Sequence, residues 1–160
     1  EDFYFLDFEK TTNQERKAIL ERYFQELYDM AANADFDILG HITYPYRYFY
    51  QAKLQNPNVE IPYDIFGDMV TEILKTIIQR GKGIEINTSG LRQAIRQTLP
   101  NIDIIAQYRK LGGEIISVGS DAHTTDDVAK GIKEGYEIAK QAGFQYVTYY
   151  ENRKPVMVKL

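Results

Sequence analysis

The chain has 160 residues, 44% of them hydrophobic and 26% charged, enough for one domain with a real core and too apolar for disorder. Its formal net charge of −4 and the absence of a long basic run argue against nucleic-acid binding, although a small anionic substrate needs only one or two well-placed cations. With no cysteine, disulfides, thiolate metal sites and a cysteine nucleophile are excluded, and any metal must sit on His, Asp, Glu or Asn.

The N-terminus begins Glu1-Asp2-Phe3-Tyr4-Phe5 without Met, as if cut from a longer chain. Asn13 to Ala34 reads as a helix, with Ile19, Leu20, Tyr23, Phe24, Leu27 and Met30 at helical spacing and Thr11 or Thr12 as cap. Phe36 to Gly40 is a short apolar strand ending at His41. A polar, aromatic loop with Pro45, Pro57 and Pro62 as breakers is expected next. A second helix spans Asp64 to Arg80, burying Ile65, Met69, Ile73, Leu74, Ile77 and Ile78, and stops at Gly81 and Gly83. Gly83 to Asn87 is the second strand, Ile102 to Leu111 a helix, and Glu114 to Gly119 the third strand. Asp126 to Ala142 reads as a helix capped by Thr124 or Thr125. The tail, 145–150 and 155–160, reads as two strands turning at Asn152-Arg153.

Alternating strands and helices predict a parallel α/β architecture, whose reactive groups lie where strands run into the following loops. Those ends are Gly40-His41, Glu85-Ile86-Asn87 and Gly119-Ser120-Asp121-Ala122-His123. Both histidines of the chain stand just past a strand. In an extended segment Asp121 and His123 leave the backbone on one side, so a carboxylate and an imidazole can meet one metal or bridge two. Alone, such a pair is more often a helix cap and a local hydrogen bond; His41 on a neighbouring strand end favours the metal reading. Glu85 either points at a metal or pairs with Arg92 or Lys82, and Asn87 either orients a ligand or caps the next turn. Arg47 and Arg92 lie on loops leaving the same face and can each grip a phosphate through two hydrogen bonds, against the commoner reading of solvated surface arginines. Tyr44, Tyr46, Tyr48 and Tyr50 can wall a pocket, but 13 tyrosines make such clustering weak evidence.

Asp37-Ile38-Leu39-Gly40-His41-Ile42, Glu85-Ile86-Asn87-Thr88-Ser89-Gly90-Leu91-Arg92 and Gly119-Ser120-Asp121-Ala122-His123 resemble, in this order, the C-terminal half of PHP-type histidinol-phosphatases. The shorter Gly-His and Ser-Asp-Ala-His are shared broadly by PHP phosphoesterases; the Glu85 to Arg92 run is closer to the histidinol-phosphatase branch. The resemblance implies a distorted (β/α)7, TIM-like PHP barrel with a trinuclear site of zinc, manganese or iron. It implies hydrolysis of L-histidinol phosphate to L-histidinol and phosphate in histidine biosynthesis. It further implies His41, Asp121 and His123 as metal ligands, with Asp121 and His123 catalytic, and Arg47 and Arg92 as phosphate contacts; Glu85 and Asn87, at the end of the second strand, are further substrate-binding candidates.

The family's N-terminal His-x-His and its following Glu ligand have no counterpart, since residues 1–36 contain no histidine. Residues 1–160 are therefore expected to be a single partial PHP domain, its C-terminal half, with an incomplete site and little activity alone. Exposed barrel edges would invite self-association. Without an apolar run of spanning length or the pattern of a signal peptide, a cytoplasmic protein with no membrane partner is expected. Competing readings are another PHP phosphoesterase with a different small phosphate ester, and an inactive PHP-like binding module.

Overall fold

Thr12 begins the first helix, α1 (Asn13–Asn33), through a capping box: its hydroxyl accepts from the Glu15 N–H, and the Glu15 carboxylate accepts from the Thr12 N–H. The computed structural model describes residues 3–62 and 66–160. Leu20, Phe24, Leu27 and Ala31 form the buried stripe of α1. Arg16 lies on the same stripe and is 4% exposed. Its guanidinium donates to the carbonyls of Phe8, Thr11 and Glu60, so the segments on either side of α1 are tied to it by one buried cation.

Strand β1 is shorter than expected, Ile38–Leu39. The Asp37 carbonyl already accepts from the Gly83 N–H, but past Leu39 the chain turns away at His41, whose φ is 31°. The aromatic stretch that follows is helix α2 (Tyr46–Gln55), where a loop was expected. Pro45 sits at its N-cap, and Tyr46, Phe49 and Ala52 recur every third residue as its buried edge. Tyrosines disguise this periodicity, because each carries a hydroxyl on an otherwise apolar ring.

Helix α3 (Gly67–Gln79) buries Val70, Ile73, Leu74 and Ile77. Met69 and Ile78 are half-buried, and the expected Asp64 and Ile65 lie outside the described residues. Strand β2 (Gly83–Asn87) is central in a parallel sheet of order β1-β2-β3, with β3 at Ile116–Gly119. Ile84 and Ile86 are fully buried, as a strand flanked by neighbours requires. Helix α4 (Ile102–Lys110) starts at Asn101, whose side chain accepts from the Ile104 N–H. Its buried Tyr108 donates to the carbonyls of Lys82 and Ile115, both just before a strand.

The long helix expected at 126–142 is interrupted. A 3-10 turn, Thr125–Asp127, precedes α5 (Ile132–Gln141), and neither Thr124 nor Thr125 caps the latter. Ala129 and Gly131 take φ of 63° and 77°, left-handed values that a right-handed helix cannot pass through. The tail is the expected hairpin, β4 (Tyr146–Glu151) paired antiparallel with β5 (Lys154–Lys159). Asn152 and Arg153 both have positive φ, the geometry of a two-residue hairpin turn. Among the described residues no helix is long and apolar enough to cross a membrane.

The hairpin turn is fastened to the entry of β1. Arg153 donates to both Asp35 carboxylate oxygens at 2.9 Å and to Asp37 Oδ2 at 2.9 Å. These bonds hold the Asp35 carboxyl down at about 2, below its ordinary 3.8, and lower that of Asp37 as well. Because the folded-state values are depressed, the stabilisation is present above the unfolded value and is lost as pH falls through the folded one. Arg153→Met is therefore expected to melt below the parent at about pH 6, with the gap closing between about pH 4 and pH 2. Thermal unfolding followed by circular dichroism across this range checks it, and a gap that stays constant would contradict it.

Candidate functional site

The three parallel strands end side by side, and the central one carries Glu85. Its half-buried carboxylate Oε2 accepts from the His41 backbone N–H at 3.2 Å and from the Asn87 side-chain amide at 3.1 Å. Neither expected cation reaches it. Lys82 pairs with Asp35 at 3.6 Å and Arg92 with Asp127 at 3.5 Å. Among the described residues Glu85 forms no ion pair, so a half-buried carboxylate faces the strand ends without a counter-charge.

A glycine makes room for it. A Cβ built on Gly119, at the end of β3, would stand 2.2 Å from Glu85 Oε1, and one on Gly40 would stand 3.4 Å from Oε2. The Gly40 distance is an ordinary van der Waals contact, so it is Gly119 whose lack of a side chain leaves the notch that the carboxylate occupies. Sequence reading singled out neither glycine; their place on the two strands flanking a central Glu was the available signal.

His41 and Asp121 follow β1 and β3, and both adopt left-handed backbone, with φ of 31° and 48°. Non-glycine residues rarely sit there, and such strain gathers at functional positions. Asp121 Oδ1 lies 3.4 Å from His123 Nε2, and the His123 side chain is 83% exposed. The His41 ring leans on Tyr44, with centroids 5.1 Å apart. By chemistry, two imidazoles and two carboxylates suit zinc, iron or manganese. Among the described residues, however, no three His, Asp or Glu side chains stand close enough to hold one ion. Asp121 and His123 stand as one donor pair, while Glu85 meets His41 through that residue's backbone N–H.

Asn87 is 1% exposed, and its Oδ1 accepts from the Ser89 N–H and hydroxyl while its amide holds Glu85. It both orients a site group and closes the turn after β2. Arg92 Nη2 donates to the Asp121 carbonyl at 3.0 Å, bracing the left-handed turn of Asp121, while its Nη1 is buried without a partner. Arg47 lies over the Tyr44 and Tyr48 rings at 4.0 and 4.8 Å, and its Nη2 donates to both phenol oxygens at 2.8 Å. The two rings therefore aim a guanidinium: Tyr44 lies in the turn that leads into helix α2 and Tyr48 in the helix's first turn, with their hydroxyls 2.7 Å apart.

The notch yields a direct expectation. Gly119→Ala should cost roughly 1–2 kcal/mol in urea unfolding, because the new methyl displaces the Glu85 carboxylate. Adding Glu85→Ala should return most of that loss. If the two costs simply add, Gly119 has no bearing on the carboxylate.

Comparison with known proteins gives consistent matches. The probable histidinol-phosphatase of Thermotoga maritima is 30% identical over 140 residues, 86% of this chain and 54% of that protein. The probable histidinol-phosphatase of Clostridium acetobutylicum is 30% identical over 150 residues, 91% of this chain and 56% of that protein. The chain thus spans about half the length of the curated relatives it matches. In fold it is similar to the histidinol phosphate phosphatase of Lactococcus lactis subsp. lactis, solved with zinc, L-histidinol and phosphate. That likeness has a TM-score of 0.69 at 19% identity, over 94% of this chain and 54% of that one. The model of the PHP domain matches residues 2–89, more than half of the chain, and the chain therefore belongs to the PHP domain family.

Proposed function

We propose that this chain supplies the C-terminal half of a distorted (β/α)7 PHP barrel whose completed site hydrolyses L-histidinol phosphate to L-histidinol and phosphate. This would place it in the histidine biosynthesis of the cytoplasm. The observation that carries the proposal is the Glu85 carboxylate, held without a cation between the strand ends that bear His41 and Asp121. The names of the Thermotoga and Clostridium relatives supply the substrate.

In this reading His41, Asp121 and His123, with Glu85 central among them, donate to divalent ions of zinc, manganese or iron. The ions would lower the pKa of water and offset charge on the phosphoryl oxygens. Asn87 keeps Glu85 facing the strand ends. Arg92 holds the Asp121 turn, and its Nη1, buried without a hydrogen-bond partner, would be satisfied by a phosphate oxygen. Arg47, aligned by its two tyrosines, offers a second guanidinium to the same dianion. Water adds to phosphorus, and the histidinol oxygen leaves carrying a proton. The lack of a converging set of three donors among the described residues fits a half-site, and exposed strand edges would take up the other half or a second copy.

The test is phosphate release from L-histidinol phosphate and a panel of other phosphomonoesters, with Zn2+ or Mn2+ added. The 160-residue chain is compared with a chimera joining it to the part of the Thermotoga relative that the match leaves uncovered. The chain alone should release little. The chimera should prefer histidinol phosphate and lose about a hundredfold or more in rate on Asp121→Asn. Full activity of the chain alone would sink the half-site, and preference for another ester would sink the substrate. Absence of both metal uptake and turnover in the chimera would favour an inactive module.

A further inference from the structure

A cleft of about 470 Å³ opens between α2 and the turn at 93–96, and Arg92 on its wall reaches the Asp121 carbonyl beyond β3. Arg47 and Arg92 line it together with Tyr48, Gln51, Gln93 and a third arginine, Arg96. No Asp or Glu lies among its lining residues. This is an unusual concentration of positive charge in a chain whose formal net charge is −4.

The three guanidiniums are poorly neutralised from within. Arg47 is held by phenol oxygens and ring faces. Arg92 has Asp127 at 3.5 Å, and that carboxylate is shared with Lys130 at 3.0 Å. Arg96 has no carboxylate partner among the described residues. Two further atoms at this place, Arg92 Nη1 and Gln93 Oε1, are buried without a hydrogen bond. About two positive charges remain unbalanced, which matches the dianion of a phosphate monoester near neutral pH. The volume is that of a pocket for a small metabolite rather than for a lone ion.

The backbone at Arg96 points the same way. Its φ is 53°, and its N–H donates to the Gln93 carbonyl at 3.1 Å, closing a tight turn. Glycine would occupy this position without strain, yet the chain carries a long cation there.

We propose that Arg96 is a third phosphate-binding arginine, which with Arg47 and Arg92 makes this cleft the seat for the dianionic end of a small phosphomonoester. The inference rests on the reading of Arg47 and Arg92 given above. It adds a residue that no strand-end pattern marks. A guanidinium on each side of the cleft can meet different phosphate oxygens, so that loss of one weakens the grip without removing the site.

The experiment titrates the 160-residue chain, without added metal, with inorganic phosphate, L-histidinol phosphate and L-histidinol in a calorimeter. Arg96→Gly should weaken phosphate and the phosphoester about tenfold, leave L-histidinol unchanged, and raise the melting temperature by relieving the left-handed turn. Arg96→Gln should weaken the same two ligands without that gain, and Arg96→Lys should recover part of the affinity. Phosphate affinity within about twofold of the parent in both Arg96→Gly and Arg96→Gln overturns the inference, as does equal weakening of L-histidinol. The two proposals fail separately. If the chimera turns nothing over while Arg96→Gly still loosens phosphate, the cleft stands and the catalytic reading falls. If histidinol phosphate is hydrolysed with KM and phosphate affinity unchanged in Arg96→Gly, the reverse holds.

Discussion

A carboxylate that is half out of water needs a positive partner, and Glu85 has none among the described residues. Much of the surrounding arrangement follows from that need. The flanking strands present glycine beside it, at positions 40 and 119. The His41 N–H and the Asn87 amide steady one of its oxygens without neutralising the charge. The nearest cation on each side in sequence is engaged elsewhere, Lys82 with Asp35 and Arg92 with Asp127. An ion pair at Glu85 would have been simpler to fold. Its avoidance leaves the charge free for an external cation.

The arginines obey the complementary rule. Their charges are oriented by neutral or shared groups: two phenols for Arg47, a backbone carbonyl and a divided carboxylate for Arg92, nothing for Arg96. The fold therefore keeps a negative notch and a positive cleft, each uncancelled. Such separation is costly in an isolated domain and useful where a cationic centre and an anionic ligand must be held together.

The strand ends were legible because apolar runs of four to six residues closed by Gly-His, Glu-Ile-Asn and Gly-Ser-Asp can hardly be anything but strands meeting loops. The family followed from the same residues. Helix α2 was not legible, since its apolar edge is built from Tyr46, Phe49 and Ala52 among other tyrosines and behind a proline. Missing it also hid why Tyr44 and Tyr48 stand near Arg47. The break before α5 escaped because Ala129 carries no sign of its left-handed backbone, and Gly131 alone looks like a tolerated helix glycine. Convergence was the hardest quantity to read. The spacing allowed Asp121 and His123 to meet one metal or bridge two with His41 on a neighbouring strand end, whereas His123 points largely into solvent and no three such side chains converge among the described residues.

The clasp between the hairpin turn and β1 bears on how the chain reaches this structure. Arg153 meets Asp35 and Asp37 across 118 and 116 positions of sequence, and Tyr150 meets the Asp37 carbonyl across 113. Contacts of such span are entropically late, because the intervening chain must be ordered before they reward its closure. During synthesis α1 and the sheet strands emerge well before Arg153 does, so until the hairpin is made the two neighbouring carboxylates at the mouth of β1 have only Lys82, 3.6 Å from Asp35, to offset their repulsion. The hairpin turn thus acts as a latch: it completes the neutralisation at the entry to β1 only after the segments between them are in place.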